Sequence, residues 1–84
     1  MVTAGQMRAA RALIGISQAE LARRAGVSVP TIKRCESEGE KIAVVSSETQ
    51  QKIRTVLEAA GIEFIPEDSD GGVGVRLRKT SPTE

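Results

Sequence analysis

The sequence predicts a mainly α fold, a compact bundle of four short helices followed by a C-terminal β-hairpin. Apolar residues recur at helical spacing in four segments of residues 1–61, each segment begins after a serine or threonine, and three are closed by a glycine. Beyond Gly61 the apolar period becomes two residues, which is typical of strands. The core must be packed from short side chains, because the 84 residues include one Phe and no Trp or Tyr. That composition suits closely packed helices.

The first helix is predicted to begin at a capping box formed by Thr3 and Gln6 and to end at Gly15. A capping box satisfies two backbone N–H groups that have no acceptor within the helix. The apolar stripe of this helix consists of Met7, Ala10, Leu13 and Ile14. These positions fall on one face, which is expected to pack against the other helices.

The second helix is predicted to follow a capping box at Ser17 and Glu20, and Gly26 ends it. Ser28 caps a third helix over about residues 28–36, on which Ile32 and Cys35 face the second helix; because Cys35 lies on this stripe, we interpret it as a buried structural thiol rather than a nucleophile. Pro30 disfavours helical geometry for the residue before it, so this helix begins either at Val29 or one residue later. Two short helices joined by one tight turn have the geometry of a helix-turn-helix.

A linker of residues 37–46 is expected next, with Val44 and Val45 against the core. A capping box at Ser47 and Gln50 opens the fourth helix, which Gly61 closes. Its stripe of Ile53, Val56, Leu57 and Ala60 is the clearest amphipathic pattern in the chain.

Residues 62–79 are predicted to form the hairpin, because apolar and polar residues alternate on both sides of turn-forming residues 67–72. The apolar members are Ile62, Phe64, Val73, Val75 and Leu77. A lone hairpin is marginally stable, so we expect it to pack on the helices and to pair with a second copy as a dimerisation element. Residues 80–84 are predicted to be a disordered tail.

The central segment carries a recurring set of residues at fixed spacings: Gln18, Glu20-Leu21-Ala22, Gly26, Ser28, Ile32 and Glu36, with a matching stretch upstream at 11–17. This pattern resembles the XRE-type, phage-repressor and Cro-like helix-turn-helix DNA-binding proteins. The resemblance implies that residues 1–61 form a repressor-like DNA-binding domain. It also implies a structural ion pair between Arg11 and Glu36.

The same resemblance implies a set of contacts to double-stranded DNA. Base contacts are expected from Ser28, Val29, Pro30 and Arg34, and backbone contacts from Gln18, Thr31, Lys33 and Lys41. Arg34 alone among the base-contact residues has the fork of donors that binds guanine O6 and N7. Many members of the family carry polar side chains, often Gln, where this chain has Val29 and Pro30. Fewer direct hydrogen bonds to base edges are therefore expected at these two positions.

Charge is divided unevenly along the chain. Residues 1–36 carry six basic and two acidic side chains, a net of +4; residues 37–72 carry three and eight, a net of −5; residues 73–84 carry three and one, a net of +2. The asymmetry suits a protein that offers one face to a polyanion. An ordinary solvated helix surface gives the same pattern.

Enzymatic chemistry is not expected, because the chain has no histidine and its single cysteine has no partner. We therefore predict no catalytic residues, no cofactor and no metal site; Asp68-x-Asp70-Gly71 lacks the later ligands of a calcium loop. One cysteine fits a reducing cytosol, and no apolar run approaches the ~20 residues that span a bilayer. These features predict a cytoplasmic protein.

The sequence therefore predicts a sequence-specific transcriptional regulator, repressor-like, that binds a palindromic operator as a homodimer. The alternative is a protein-binding adaptor or antitoxin-like protein that uses the acidic segment and the hairpin to grip a partner. Salt separates the two functions, because phosphate contacts release counterions and weaken steeply as salt rises.

Overall fold

Four helices precede two strands in the computed structural model, which describes residues 2–37 and 46–78. The elements are α1 (Ala4–Ile14), α2 (Gln18–Ala25), α3 (Val29–Glu36), α4 (Ser47–Ala59), β1 (Ile62–Ile65) and β2 (Gly74–Leu77). The predicted mainly helical bundle with a C-terminal hairpin is confirmed. The predicted linker residues Val44 and Val45 and the predicted tail lie outside the described residues.

Helix α1 begins at the predicted capping box. The Thr3 hydroxyl accepts the Gln6 N–H at 3.1 Å, and the Gln6 side-chain oxygen accepts the Thr3 N–H at 2.8 Å. Gly15 ends the helix in the left-handed conformation, at φ +70°. These local hydrogen bonds fix α1 as its sequence predicts.

Helix α2 has half of the predicted capping box. The Ser17 hydroxyl accepts the Glu20 N–H at 3.0 Å, whereas the Glu20 carboxylate turns along the helix to Arg23 and Arg24. Two guanidinium groups are stronger partners for a carboxylate than one backbone N–H. Gly26 then turns the chain at φ +70°, a conformation that glycine adopts without steric cost.

Helix α3 begins at Val29, so Pro30 does not delay it. Ser28 caps the helix, and Pro30 lies in the first turn, where a backbone N–H has no acceptor within the helix. The missing N–H of proline therefore costs α3 nothing at this position.

The predicted cap of α4 was wrong by one residue. Ser46, not Ser47, is the N-cap, and its hydroxyl accepts the Thr49 N–H at 3.2 Å and donates to the Thr49 hydroxyl at 2.9 Å. At the other end Ala60, predicted on the apolar stripe, is exposed because it is the C-cap and no longer follows the helical period.

The core contains aliphatic and small side chains from every helix and from β1. Its buried members are Met7, Ala10, Leu21, Ala22, Ala25, Ile32, Ile53, Leu57 and Ile62. Leu13, predicted on the α1 stripe, is exposed, and its neighbour Ile14 packs against the core instead. The small residues of α2 let the helices approach closely around Leu21.

The hairpin is antiparallel, with Ile62 opposite Leu77 and Phe64 opposite Val75. Helix α4 packs against β1 and α1 packs against β2, so the hairpin rests on the helices as predicted. Val73, predicted in the second strand, precedes β2 and is exposed. Among residues 2–37 and 46–78, no helix has the length and apolar character needed to cross a bilayer.

Candidate nucleic-acid interface

Helix α3 has one buried side and one basic side. Ile32 and Glu36 are buried, whereas Lys33 and Arg34 are exposed. Neither of these two cationic side chains donates a hydrogen bond to, or forms an ion pair with, a described residue. The outward side of α3 therefore presents two positive charges that have no ion-pair partner among the described residues.

The N-terminal end of α3 carries the other predicted base contacts. Ser28 and Pro30 are exposed, and Val29 is half-buried because it packs against the core. The hydroxyls of Ser28 and Thr31 lie 2.9 Å apart, and Ser28 also accepts the Thr31 N–H at 3.2 Å. Each hydroxyl oxygen keeps further capacity to accept or donate, so this pair is an available polar group at the exposed end of the helix.

The C-terminal end of α3 is held by the carboxylate of Glu36, whose side chain is only 4 % exposed. Arg11 donates to both carboxylate oxygens, from Nε at 2.8 Å and from Nη2 at 3.0 Å. These hydrogen bonds, more than the opposite charge itself, raise the pKa of Arg11 above its ordinary value. The structure therefore brings together the two residues expected to form an ion pair, with bidentate geometry.

Gln18 lies in the same network rather than pointing to solvent. Its side-chain amide donates to Glu36 Oε1 at 3.1 Å. Arg11 also donates to the Ile16 carbonyl at 3.1 Å, just before α2 begins. The network thus joins α1, the start of α2 and the end of α3, and the Gln18 side-chain amide is already used within it.

Arg8 is a residue of this region that sequence reasoning missed. It lies one helical turn before Arg11 on α1 and donates to the backbone carbonyl of Glu36. The spacing of three residues between two arginines on one helix was the available signal, because i and i+3 side chains share a face. The two arginines together hold the end of α3, Arg8 through the backbone carbonyl of Glu36 and Arg11 through its carboxylate.

The basic residues of α2 differ from those of α3. Glu20 accepts from Arg23 Nε at 3.1 Å and from Arg24 Nε at 2.7 Å, and it also accepts from Arg23 Nη2. Hydrogen bonds from Arg23 and then from Arg24 lower the pKa of Glu20 to about 2. The carboxylate is therefore ionised at neutral pH and offsets one of two positive charges.

Two further residues singled out from the sequence are Cys35 and Lys41. Cys35 is half-buried against the core, and burial raises the pKa of its thiol, so it is a poor nucleophile. Lys41, expected to contact the DNA backbone, lies outside the described residues.

Helices α2 and α3 are joined by a tight turn at Gly26 and held by the Glu36 network, and α3 presents an exposed basic side. This arrangement defines a helix-turn-helix protein. A family model described as helix-turn-helix matches residues 7–59. The chain belongs to the XRE-type helix-turn-helix family and is a DNA-binding regulator of that kind. A search of curated proteins finds no match to it. The hairpin lies beyond the matched residues.

Proposed function

We propose that the protein is a sequence-specific, repressor-like transcriptional regulator that binds a palindromic operator as a homodimer, with α3 in the major groove. The observation that carries the proposal is that Lys33 and Arg34, on the exposed side of α3, have no ion-pair partner in the part of the chain that the structure describes. Unpaired cations are available to phosphates and base edges without first breaking an internal ion pair.

We assign two kinds of DNA contact, to base edges and to the DNA backbone. Arg34 reads a guanine through O6 and N7, and Ser28, Val29 and Pro30 make the remaining base contacts. Val29 and Pro30 supply apolar contact to thymine methyl groups. The DNA backbone is contacted by Thr31, Lys33, Gln18 and Lys41. Gln18 makes this contact through its backbone N–H at the start of α2.

Replacement of Arg34 by alanine should abolish one base preference in each half-site. A bidentate arginine–guanine contact is worth about 1–3 kcal/mol of discrimination, so the preference at that position should fall by about 5- to 150-fold. The measurement is selection of duplexes from a random library at near-physiological salt, by the wild type and by Arg34→Ala in parallel. The wild type should enrich an inverted repeat with half-sites about one helical turn apart.

The matched control for this selection is Lys52→Ala. Lys52 is an exposed cation on α4 with no hydrogen bond or ion pair to a described residue, so its loss changes net charge equally. It should leave every position of the motif unchanged. An Arg34→Ala motif identical to that of the wild type would refute the assignment of Arg34.

We propose that the hairpin forms the dimer contact. Its exposed apolar side chains support this, since Leu77, the last residue of β2, is 46 % exposed and Val73, just before β2, is 41 % exposed. Leu77→Glu should convert dimer to monomer in sedimentation velocity, because pairing would bury a charge against a second copy. Leu13→Glu changes an equally exposed leucine on α1 and should leave the dimer intact. An unchanged dimer in Leu77→Glu would place the contact elsewhere.

A second candidate is an adaptor or antitoxin-like protein that grips another protein with its hairpin. An open groove of about 330 Å³ beside the hairpin favours it; apolar Val2, Phe64 and Val73 line it together with charged Arg54 and Glu67. An apolar interface would show little dependence on salt, unlike phosphate contacts. Absence of an enriched motif, with binding indifferent to salt and to Arg34, would favour this candidate.

A further inference from the structure

The Glu20 carboxylate divides the basic residues of the helix-turn-helix into two sets. On α2, Arg23 and Arg24 both form ion pairs with this carboxylate. On α3, Lys33 and Arg34 have no ion-pair partner among the described residues. The first set is therefore held along its own helix, and the second set is available to a ligand.

The position of α2 gives this division a consequence for DNA binding. In a helix-turn-helix the second helix enters the major groove while the first crosses the DNA backbone. Arg23 and Arg24 are exposed on that first helix. Charges within about 8 Å of one another interact at physiological salt, so phosphates beside α2 would sense both the arginines and the carboxylate.

We propose that Glu20 is a specificity-determining residue, which holds Arg23 and Arg24 away from the DNA backbone and thereby limits sequence-independent binding. The inference rests on the proposed mode of DNA binding. It assigns to Glu20 a role other than capping, because the cap of α2 is the Ser17 hydroxyl and the Glu20 carboxylate does not take part in it.

Specificity is affected because the two kinds of complex constrain α2 differently. In a specific complex the base contacts of α3 fix the register, and α2 has one position. In a non-specific complex the protein is free to shift, so two released arginines would reach phosphates in many registers. Release of Arg23 and Arg24 from Glu20 should therefore strengthen non-specific DNA binding more than operator binding.

The test is a salt titration of Glu20→Gln and wild type on a random duplex and on the selected operator. Each added phosphate contact steepens the logarithmic salt dependence by about 0.9. For Glu20→Gln on random duplex we expect a slope steeper by about 1–2 and affinity about fivefold higher per added contact at 0.15 M salt. The ratio of operator to random-duplex affinity should fall.

The matched control is Glu58→Gln on α4. Glu58 pairs with Arg54, whose Nε lies 2.9 Å from Oε2, so this variant also frees an arginine and changes net charge by the same amount. It lies on α4, outside both the helix-turn-helix and the hairpin, and should leave the slope unchanged. Adding Arg23→Ala and Arg24→Ala to Glu20→Gln should return the slope to the wild-type value.

An unchanged slope in Glu20→Gln, or the same change in Glu58→Gln, would overturn the inference while leaving DNA binding by the wild type intact. A wild type that binds neither duplex in a salt-dependent way would overturn both proposals. If Glu20→Gln does not fold, Arg23→Ala with Arg24→Ala is measured with Glu20 retained. Its slope should then match the wild type, and a shallower slope would show that the arginines already contact phosphates.

Discussion

Glu36→Gln is expected to lower the free energy of unfolding by about 3 kcal/mol. The variant keeps the side-chain volume but removes the charge that Arg11 binds with two hydrogen bonds. It also places an amide where Gln18 and Arg11 both offer donors. Arg11 is half-buried beside the buried Glu36 side chain, and a cation left there without its anion costs more than the loss of an exposed pair.

The measurement is chemical denaturation of Glu36→Gln beside Glu58→Gln. Glu58 pairs with Arg54 on α4 at 2.9 Å, but both side chains are nearly 40 % exposed. That pair should contribute under about 1 kcal/mol. Similar losses in the two variants would show that the Glu36 network is no stronger than a surface ion pair.

Gln6→Glu is the second substitution with a large expected effect, about 1–3 kcal/mol or more at neutral pH. Gln6 is buried, and its side-chain nitrogen donates to the carbonyls of Ile65 at 3.2 Å and Gly74 at 2.9 Å. A carboxylate there would face two carbonyl oxygens and could donate to neither. The hairpin should therefore be loosened from α1.

The pH dependence of the stability of Gln6→Glu distinguishes the cost of burying a charge from a loss of packing at this position. Burial and the facing carbonyls would raise the folded-state pKa of the introduced Glu above its unfolded value of about 4.3. Relative to wild type, stability should be best retained below that unfolded value and be lost as pH rises through the raised folded pKa. A loss that does not vary with pH would contradict the explanation.

Gln51→Glu is the control for Gln6→Glu. Gln51 is an exposed glutamine on α4, so the same change of charge occurs in water. Its stability relative to wild type should change little between acidic and neutral pH. The comparison isolates the effect of burial at Gln6.

The sequence by itself determined the local features of the protein. Caps at Thr3, Ser17 and Ser28 and the turns at Gly15 and Gly26 follow from hydrogen bonds and backbone angles within a few residues. The helical periods likewise predicted most of the core. Among the predicted N-cap residues only Ser47 was wrong, because the adjacent Ser46 offers the same hydroxyl and is the residue that caps α4.

Tertiary structure decided which polar groups are used internally and which remain available. Gln6 reads as half of a capping box, yet its amide also binds carbonyls 59 and 68 residues away. Gln18 reads as a phosphate contact, yet its amide binds Glu36. A side chain's distant partners depend on how the helices pack, which no local pattern encodes, whereas caps and turns are made by sequence neighbours and can be read from the chain.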